Sequence, residues 1–394
     1  MPKFFRNAPL AAAALVAVLA PTAQLYAHTE KVLYEFRGRE HADGSYPVGL
    51  ILDAAGNLFG PTDGGGSCDY RRGCGTVFEI AADGGESAIY AFPGKHGPEP
   101  QSELVEDQAG NLYGTTRSGG SCGYVYKIAA NHTGSILHKF EGGSSDGCRP
   151  AYGLVADASG NLYGATSEGG VDDDGTVYRV KPDGTLTILY AFKGGSTDGY
   201  NPDGGVVLDA DGNIYGTTLG SDGGTYGDGT VYKISSGGEE TILHGFTQGD
   251  GGYPFGALLL DQGGNLYGTM AISTGACGCG AIFTVAPDGT TSVLYSFSGG
   301  ADGSDVNSGL VRDASGNLYG TTAGGGAHSL GTVFELSPAG SEEVLYSFAG
   351  GTDGASPSDG VTADQSGNLY GVTESGGQGC RHYQGCGVVY KITR

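Results

Sequence analysis

Tryptophan is absent and basic residues are scarce. Twenty Lys plus Arg face 43 Asp plus Glu, a formal net charge of −23. That balance repels nucleic acid and anionic membrane surfaces and argues against both as partners. The missing indole weighs against a lectin that stacks sugars on Trp, although 24 Tyr offer a substitute. Past residue 27 no long apolar run occurs, so no transmembrane span is expected in the mature chain. No segment of it carries a helical period. No nucleophile-elbow motif marks a Ser-His-Asp triad, and the GxGxxG-like glycines precede no helix and bind no dinucleotide.

What is present starts with a leader. Lys3 and Arg6 precede an apolar run from Ala8 to Ala20, and Ala27 or Ala23 offers a small residue for cleavage. Residues 1–27 therefore read as a secretory signal peptide. The mature chain, 28–394, is expected to be a secreted or periplasmic bacterial monomer of net charge about −25. Gly 78 with only 16% charged residues then describes short strands and tight turns.

One stretch, Gly-Asn-Leu-Tyr-Gly, comes round seven times. Its asparagines are Asn57, Asn111, Asn161, Asn213, Asn265, Asn317 and Asn368, spaced by 54, 50, 52, 52, 52 and 51 residues. The first copy has Phe59 in the tyrosine's place. So regular a period means an array of equivalent units. Each reads as four strands. In the fourth unit they are Gly205–Asp209, Asn213–Thr218, Thr230–Ile234 and Thr241–Phe246, alternating at period two between Gly, Asp and Asn punctuation. Four-stranded units repeated seven times predict an all-β, seven-bladed β-propeller. The ends agree. Val32–Phe36 is a lone fourth-type strand, and Val388–Ile392 a third-type strand with no fourth after it. The N-terminal strand is expected to join the last three and close the ring.

The unit, L-Y-x-F-x-G-G-x-D-G…G-L-x-x-D-x-x-G-N-L-Y-G-T-T…G-T-V-Y-K-I, resembles the Gloeo/Verruco (GloVer) tandem repeat of exported bacterial proteins across residues 30–394. That resemblance implies export and no family-wide activity or catalytic residues. Such proteins often carry a C-terminal sorting anchor, and Arg394, ending a strand, predicts none here. The Asp-x-x-Gly-Asn-Leu-Tyr core is also similar to NHL and gluconolactonase-like propellers, a matter of fold and not of function.

The turn aspartates Asp53, Asp107, Asp157, Asp209, Asp261, Asp313 and Asp364 invite a metal reading. Turn chemistry explains them better, because Asp accepts local N–H groups and Gly supplies the positive φ. Asp-Gly in six of the seven fourth-to-first loops reads the same way. All eight cysteines fall in the opposite, "top" loops. Cys68 with Cys74 and Cys380 with Cys386 form equivalent C-x5-C pairs, and Cys122 and Cys148 lie in successive loops. Export favours disulfides. A bridge between Cys277 and Cys279 is expected to be strained. A four-cysteine zinc site shared by units one and seven is the competitor.

Function should sit where the copies differ, in the top loops. Basic residues there gather in units seven, one, two and three: Arg37, Arg39, Arg71, Arg72, Lys95, Arg117, Arg149 and Arg381, with His41, His96 and His382. On so acidic a chain, this one-sided patch suits an anionic ligand, unless the arginines merely balance nearby acids. Acidic, uronate-containing polysaccharide fits, and β-elimination needs no cofactor. Arg72, Arg117, Arg149 or Arg381 would neutralise the carboxylate, and Tyr152, His41, His96, His382 or Tyr383 would move the proton.

The channel mouth is the rival. Equivalent places before the inner strands hold Pro47, Gln101, Ala151, Asp203, Phe255, Asn307 and Ser358, and Glu103 and Asp359 stand where most units have small residues. Glu103, Asp203, Asn307 and Asp359 have the oxygen chemistry of a Ca²⁺ site, and gluconolactonase-like propellers bind a metal in such a place. Solvated channel polars are the simpler account. Three functions follow: a polysaccharide lyase, a non-catalytic glycan- or protein-binding scaffold, and a metal-dependent hydrolase.

Overall fold

The computed structural model describes residues 28–394 except 39–40, 67–72, 94–97, 195–197, 221–227, 248, 275–276, 307, 358, 379 and 381–384. Seven antiparallel sheets form a seven-bladed propeller, and no α-helix occurs among the described residues. Blade 4 shows the plan. From the axis outward come Val207–Leu208, Ile214–Thr218, Thr230–Ile234 and Glu240–Gly245. The inner strand is shorter than its sequence pattern predicts. Around the axis, glycines abut the backbones of neighbouring blades. A Cβ on Gly204 would lie 2.7 Å from the Gly256 carbonyl oxygen, and one on Gly205 2.9 Å from that of Tyr152.

The ring closes as expected. Thr29–Glu35 is the outermost strand of blade 7 and pairs antiparallel with Val388–Thr393, Thr29 opposite Thr393 and Glu35 opposite Val388. The first and last described strands thus belong to one sheet, and neither can leave without breaking it.

Blades are joined by a repeated aromatic ladder. An outer-strand aromatic meets the Phe two residues on, and that Phe meets the third-strand aromatic of the next blade. Tyr190, Phe192 and Tyr232 are one such set. In all seven, centroids lie 4.7–5.3 Å apart in edge-to-face geometry, the arrangement the ring quadrupole favours. The seven Phe are fully buried or nearly so. The last Gly of Gly-Asn-Leu-Tyr-Gly serves this packing: a Cβ on Gly371 would collide with the Tyr390 hydroxyl.

A polar latch lies beyond the ladder. Tyr34, His138, Tyr190, His244, Tyr295 and Tyr346 each hydrogen-bond the Asp of the following Asp-Gly turn: Asp43, Asp146, Asp198, Asp250, Asp302 and Asp353. At four of these interfaces the next blade adds a glutamate. Glu86, Glu240, Glu342 and Glu30 lie near the Tyr–Asp pairs of blades 7, 3, 5 and 6. Burial, and then the nearby Asp, pushes Glu30, Glu240 and Glu342 up to about 7. Tyr90 of blade 1 is the exception. No Asp-Gly turn follows it, and Gly134 stands where the four glutamates stand.

On the bottom face the Asp-x-x-Gly-Asn turns are self-contained. Asp209 Oδ1 accepts the N–H groups of Asp211 and Asn213, and its Oδ2 accepts from Asn213 Nδ2 at 2.7 Å and Tyr215 OH at 2.9 Å. In blade 2, burial would raise Asp107, yet donors from Asn111, Tyr113 and Ala109 hold it down at about 2. These carboxylates are spoken for by their own turns.

Candidate functional site at the channel mouth

Two groups expected apart on the top face come together. Arg117, from the end of blade 2's second strand, reaches across blade 3 to Asp203 of blade 4, Nη1 to Oδ1 at 3.7 Å. Tyr152 of blade 3 lies between them. Its backbone N–H donates to the Asp203 carbonyl at 3.4 Å, and its ring meets Phe255 of blade 5 at 5.4 Å, edge to face. Asp203 is buried, its Oδ1 without a hydrogen bond. Burial raises its pKa, and Arg117 partly offsets that. The Tyr152 phenol is pushed up to about 12, by burial first, then by Asp203 and Asp359.

A second pair forms across blade 1. Glu103 of blade 2 and Asp359 of blade 7 meet over Gly49 of blade 1, where a Cβ would strike Asp359 Oδ2 and lie 2.7 Å from Glu103 Cγ. Gly49 is thus small because two acids from its neighbours share its space. Asp359 Oδ1 accepts from Gly360 N at 2.8 Å, and Oδ2 is buried without a hydrogen bond. Glu103 is exposed by its surface area, yet dense protein surrounds its carboxylate. Both are raised, Glu103 by this crowding and then by Asp359, Asp359 by burial against the pull of Gly360. The pair therefore holds a proton more readily than isolated carboxylates do.

Of the basic sector's other described residues, Arg149, Arg37 and His41, none joins this cluster. Arg149 pairs with Glu168 of its own blade. Arg37 approaches Asp43 at 3.5 Å, and with His41 and Gln378 it lines an open groove at the ring's seam. Each of these described arginines, like Arg117, has an acid partner. Arg72, Arg381, His96, His382, Tyr383 and Asn307 lie outside the described residues.

Disulfides tie down the loops around the site. Cys122 and Cys148 are bridged, as are Cys380 and Cys386, and Cys74 is disulfide-bonded, its expected partner Cys68 lying outside the described residues. Cysteines committed to sulfur–sulfur bonds are not thiolate ligands, so the zinc reading is set aside. Cys277 and Cys279 also bridge, Cα atoms 5.2 Å apart. Three bridges sit on the same repeat position: Cβ atoms on Gly38, Gly142 and Gly299 would touch the sulfurs of Cys386, Cys122 and Cys279.

Repeats matching one family tile the chain. Residues 22–155, 120–275 and 256–394 each match the Gloeobacter/Verrucomicrobia repeat. The chain belongs to the Gloeobacter/Verrucomicrobia repeat family. No curated protein matches this repeat protein. Among solved structures, it is similar to the extracellular domain of BT4673 from B. thetaiotaomicron at 14% identity and a TM-score of 0.58, covering 93% of this chain and 42% of that one. It is also similar to XC5397 from Xanthomonas campestris, a gluconolactonase, at 14% identity and a TM-score of 0.45, covering 74% and 86%. At 14% identity, the likeness to the BT4673 domain concerns the fold alone.

Two mouth residues of this repeat protein escaped the sequence reading. The repeat pattern marks Phe255 only as unlike its counterparts, yet it walls the site beside Tyr152. Asp63 of blade 1, whose charge reaches Tyr152, occupies the repeat position that Arg117 holds in blade 2. Comparing that one position across the seven copies would have found both charges. For a metal the described residues fit poorly. Among the described residues no three of His, Cys, Asp and Glu come close enough to hold an ion, and no step is derived through one. Nor is any helix among them long and apolar enough to cross a membrane.

Proposed function

We propose that this is an exported propeller that binds a glycan on its top face, seated over the channel mouth. The observation behind this reading is convergence. In a ring of near-copies, unlike functional side chains from blades 2, 3, 4, 5 and 7 meet at one place: Glu103, Arg117, Tyr152, Asp203, Phe255 and Asp359. Tyr152 and Phe255 supply apolar ring faces, and Arg117 and the acids supply polar contacts, the mixture that sugar recognition requires. Disulfides and the N-terminal leader pattern support export.

A uronate-containing polysaccharide remains the ligand of choice. Its carboxylate would meet Arg117, and the proton held by Glu103 and Asp359 would lessen their repulsion of it. Binding an anion there should draw protons onto the pair, so affinity should rise as pH falls. A neutral glycan would show little such dependence, and a cationic one the reverse.

β-Elimination is the second reading, favoured by Arg117 lying next to Tyr152. Against it, the Tyr152 phenol is raised and keeps its proton, whereas a general base at neutral pH must give it up. Incubation with a panel of acidic polysaccharides, with and without EDTA, separates the cases. Ultraviolet absorbance of unsaturated uronate that survives EDTA would establish the lyase. Turnover abolished by EDTA would revive the hydrolase and its Ca²⁺. Calorimetric binding without turnover is the expected result, and neither binding nor turnover on any glycan would sink the proposal.

A further inference from the structure

One blade interface is built unlike the other six. At six, an outer-strand Tyr or His is latched to the Asp of an Asp-Gly turn. Between blades 1 and 2, Tyr90 has neither that Asp nor the next blade's Glu. Its ring instead lies over Gly134, where a Cβ would collide with it. A second departure faces it. Tyr124 stands where four blades carry Thr (Thr76, Thr176, Thr230, Thr332) and the others Ala281 and Val388. At this interface lies a cleft of about 370 Å³. Tyr90 and Tyr124 wall it, Pro93 and Pro98 form its rim, and Lys127 and Ser135 also line it.

We propose that this inter-blade cleft is a second binding site, for a single pyranose residue of a glycan. The volume lies at the small end of ligand pockets, roughly 300–1,000 Å³, and suits one ring. Aromatic faces pack against the C–H faces of a sugar, while the Tyr90 hydroxyl, with no acid to bond among the described residues, is available to sugar hydroxyls. The Lys127 ammonium lies over the Tyr113 ring, 5.4 Å from its centroid, on the face of the strand opposite to Tyr126. Among the described lining residues no charge is therefore aimed at the sugar, and acidic and neutral pyranoses are expected to bind alike. The site stands at the ring's side and does not depend on what the channel mouth holds.

The test replaces Tyr124 with the residue that four other blades use. Tyr124→Thr should fold as the other blades do, because it restores their packing. Digalacturonate and cellobiose would be titrated into wild type, Tyr124→Thr, Tyr90→Phe and the mouth variant Tyr152→Ala, followed by saturation-transfer NMR and calorimetry. The expected result is contact of sugar protons with the Tyr90 and Tyr124 rings, an affinity about tenfold lower in Tyr124→Thr, a smaller loss in Tyr90→Phe, and this site unchanged in Tyr152→Ala. Loss of all binding in Tyr152→Ala with none in Tyr124→Thr would overturn the cleft and leave the mouth standing. Absence of any contact between either sugar and the two rings would overturn the cleft outright. Thermal unfolding of Tyr124→Thr matching the wild type would show that lost binding is not lost fold.

Discussion

The bottom turns and the blade interfaces hold the same functional group in opposite states. Asp107 is surrounded by donors, four hydrogen bonds from Ala109, Asn111 and Tyr113 among them, and is held at about 2. Glu30, Glu240 and Glu342 are half-buried beside another carboxylate, each with an Oε1 that has no hydrogen bond, and are pushed up to about 7. What differs is the supply of N–H and O–H groups. A turn brings its own donors, whereas a seam between two sheets brings only what the neighbouring blade offers. The lesson extends to the channel mouth, where Glu103 and Asp359 share the fate of the seam acids.

That contrast can be broken from either side. The largest effect should come from stripping a bottom turn: Asp209→Ala removes the acceptor of four hydrogen bonds and should cost about 2–3 kcal/mol of stability in denaturant unfolding. Glycan binding should be untouched, and a loss of binding would mean the turns do more than fold. Removing the mouth's cation should do the converse. Arg117→Ala is expected to weaken an acidic glycan about tenfold, or about 1.4 kcal/mol, with a stability change under about 1 kcal/mol.

The two carboxylate classes should also respond oppositely to pH. The seam glutamates have folded values above their ordinary 4.5, so their contribution is full below that value and is lost as pH rises through about 7. The turn aspartates are depressed, so theirs is present at neutrality and lost as pH falls towards 2. Calorimetric Tm should therefore decline between pH 5 and pH 9, on the order of a few degrees. A Glu30→Gln, Glu240→Gln, Glu342→Gln triple variant should flatten the decline, and an equally steep curve in it would remove the seam acids as the cause. The smallest effect belongs to Phe59→Tyr, which gives Asp53 the phenol donor that the other six turns have. A gain of about 0.5–1.5 kcal/mol is expected.

Much of this was legible in the residues themselves. Gly-Asn-Leu-Tyr-Gly at a 52-residue beat specifies a turn, a strand and a close approach to the next strand, all local or near-local demands, and seven of them specify a ring. The split of the last blade between Val32–Phe36 and Val388–Ile392 could be read from which strand types the two ends lacked. That Cys122 and Cys148 lie in successive top loops brings them within reach of each other, and they are bridged. The site was legible only in fragments. Arg117 and Tyr152 were grouped with Arg149 and His41 by sequence neighbourhood, and Asp203 was assigned to a separate site.

The blade, its count and its closure follow from the residues alone, because each rests on a pattern within about 52 residues or on the first and last strands. Which unlike residues meet is set by how the blades pack. Near the axis the blades crowd so closely that residues two blades apart touch, Arg117 reaching Asp203 over blade 3 and Glu103 reaching Asp359 over Gly49. At the seams, whether a tyrosine is latched or left facing a cleft depends on what the next blade presents, Glu240 to Tyr190 but Gly134 to Tyr90. Those contacts join positions about 44 to more than 250 residues apart in the chain, and the radius of the ring, which no local pattern encodes, brings them together.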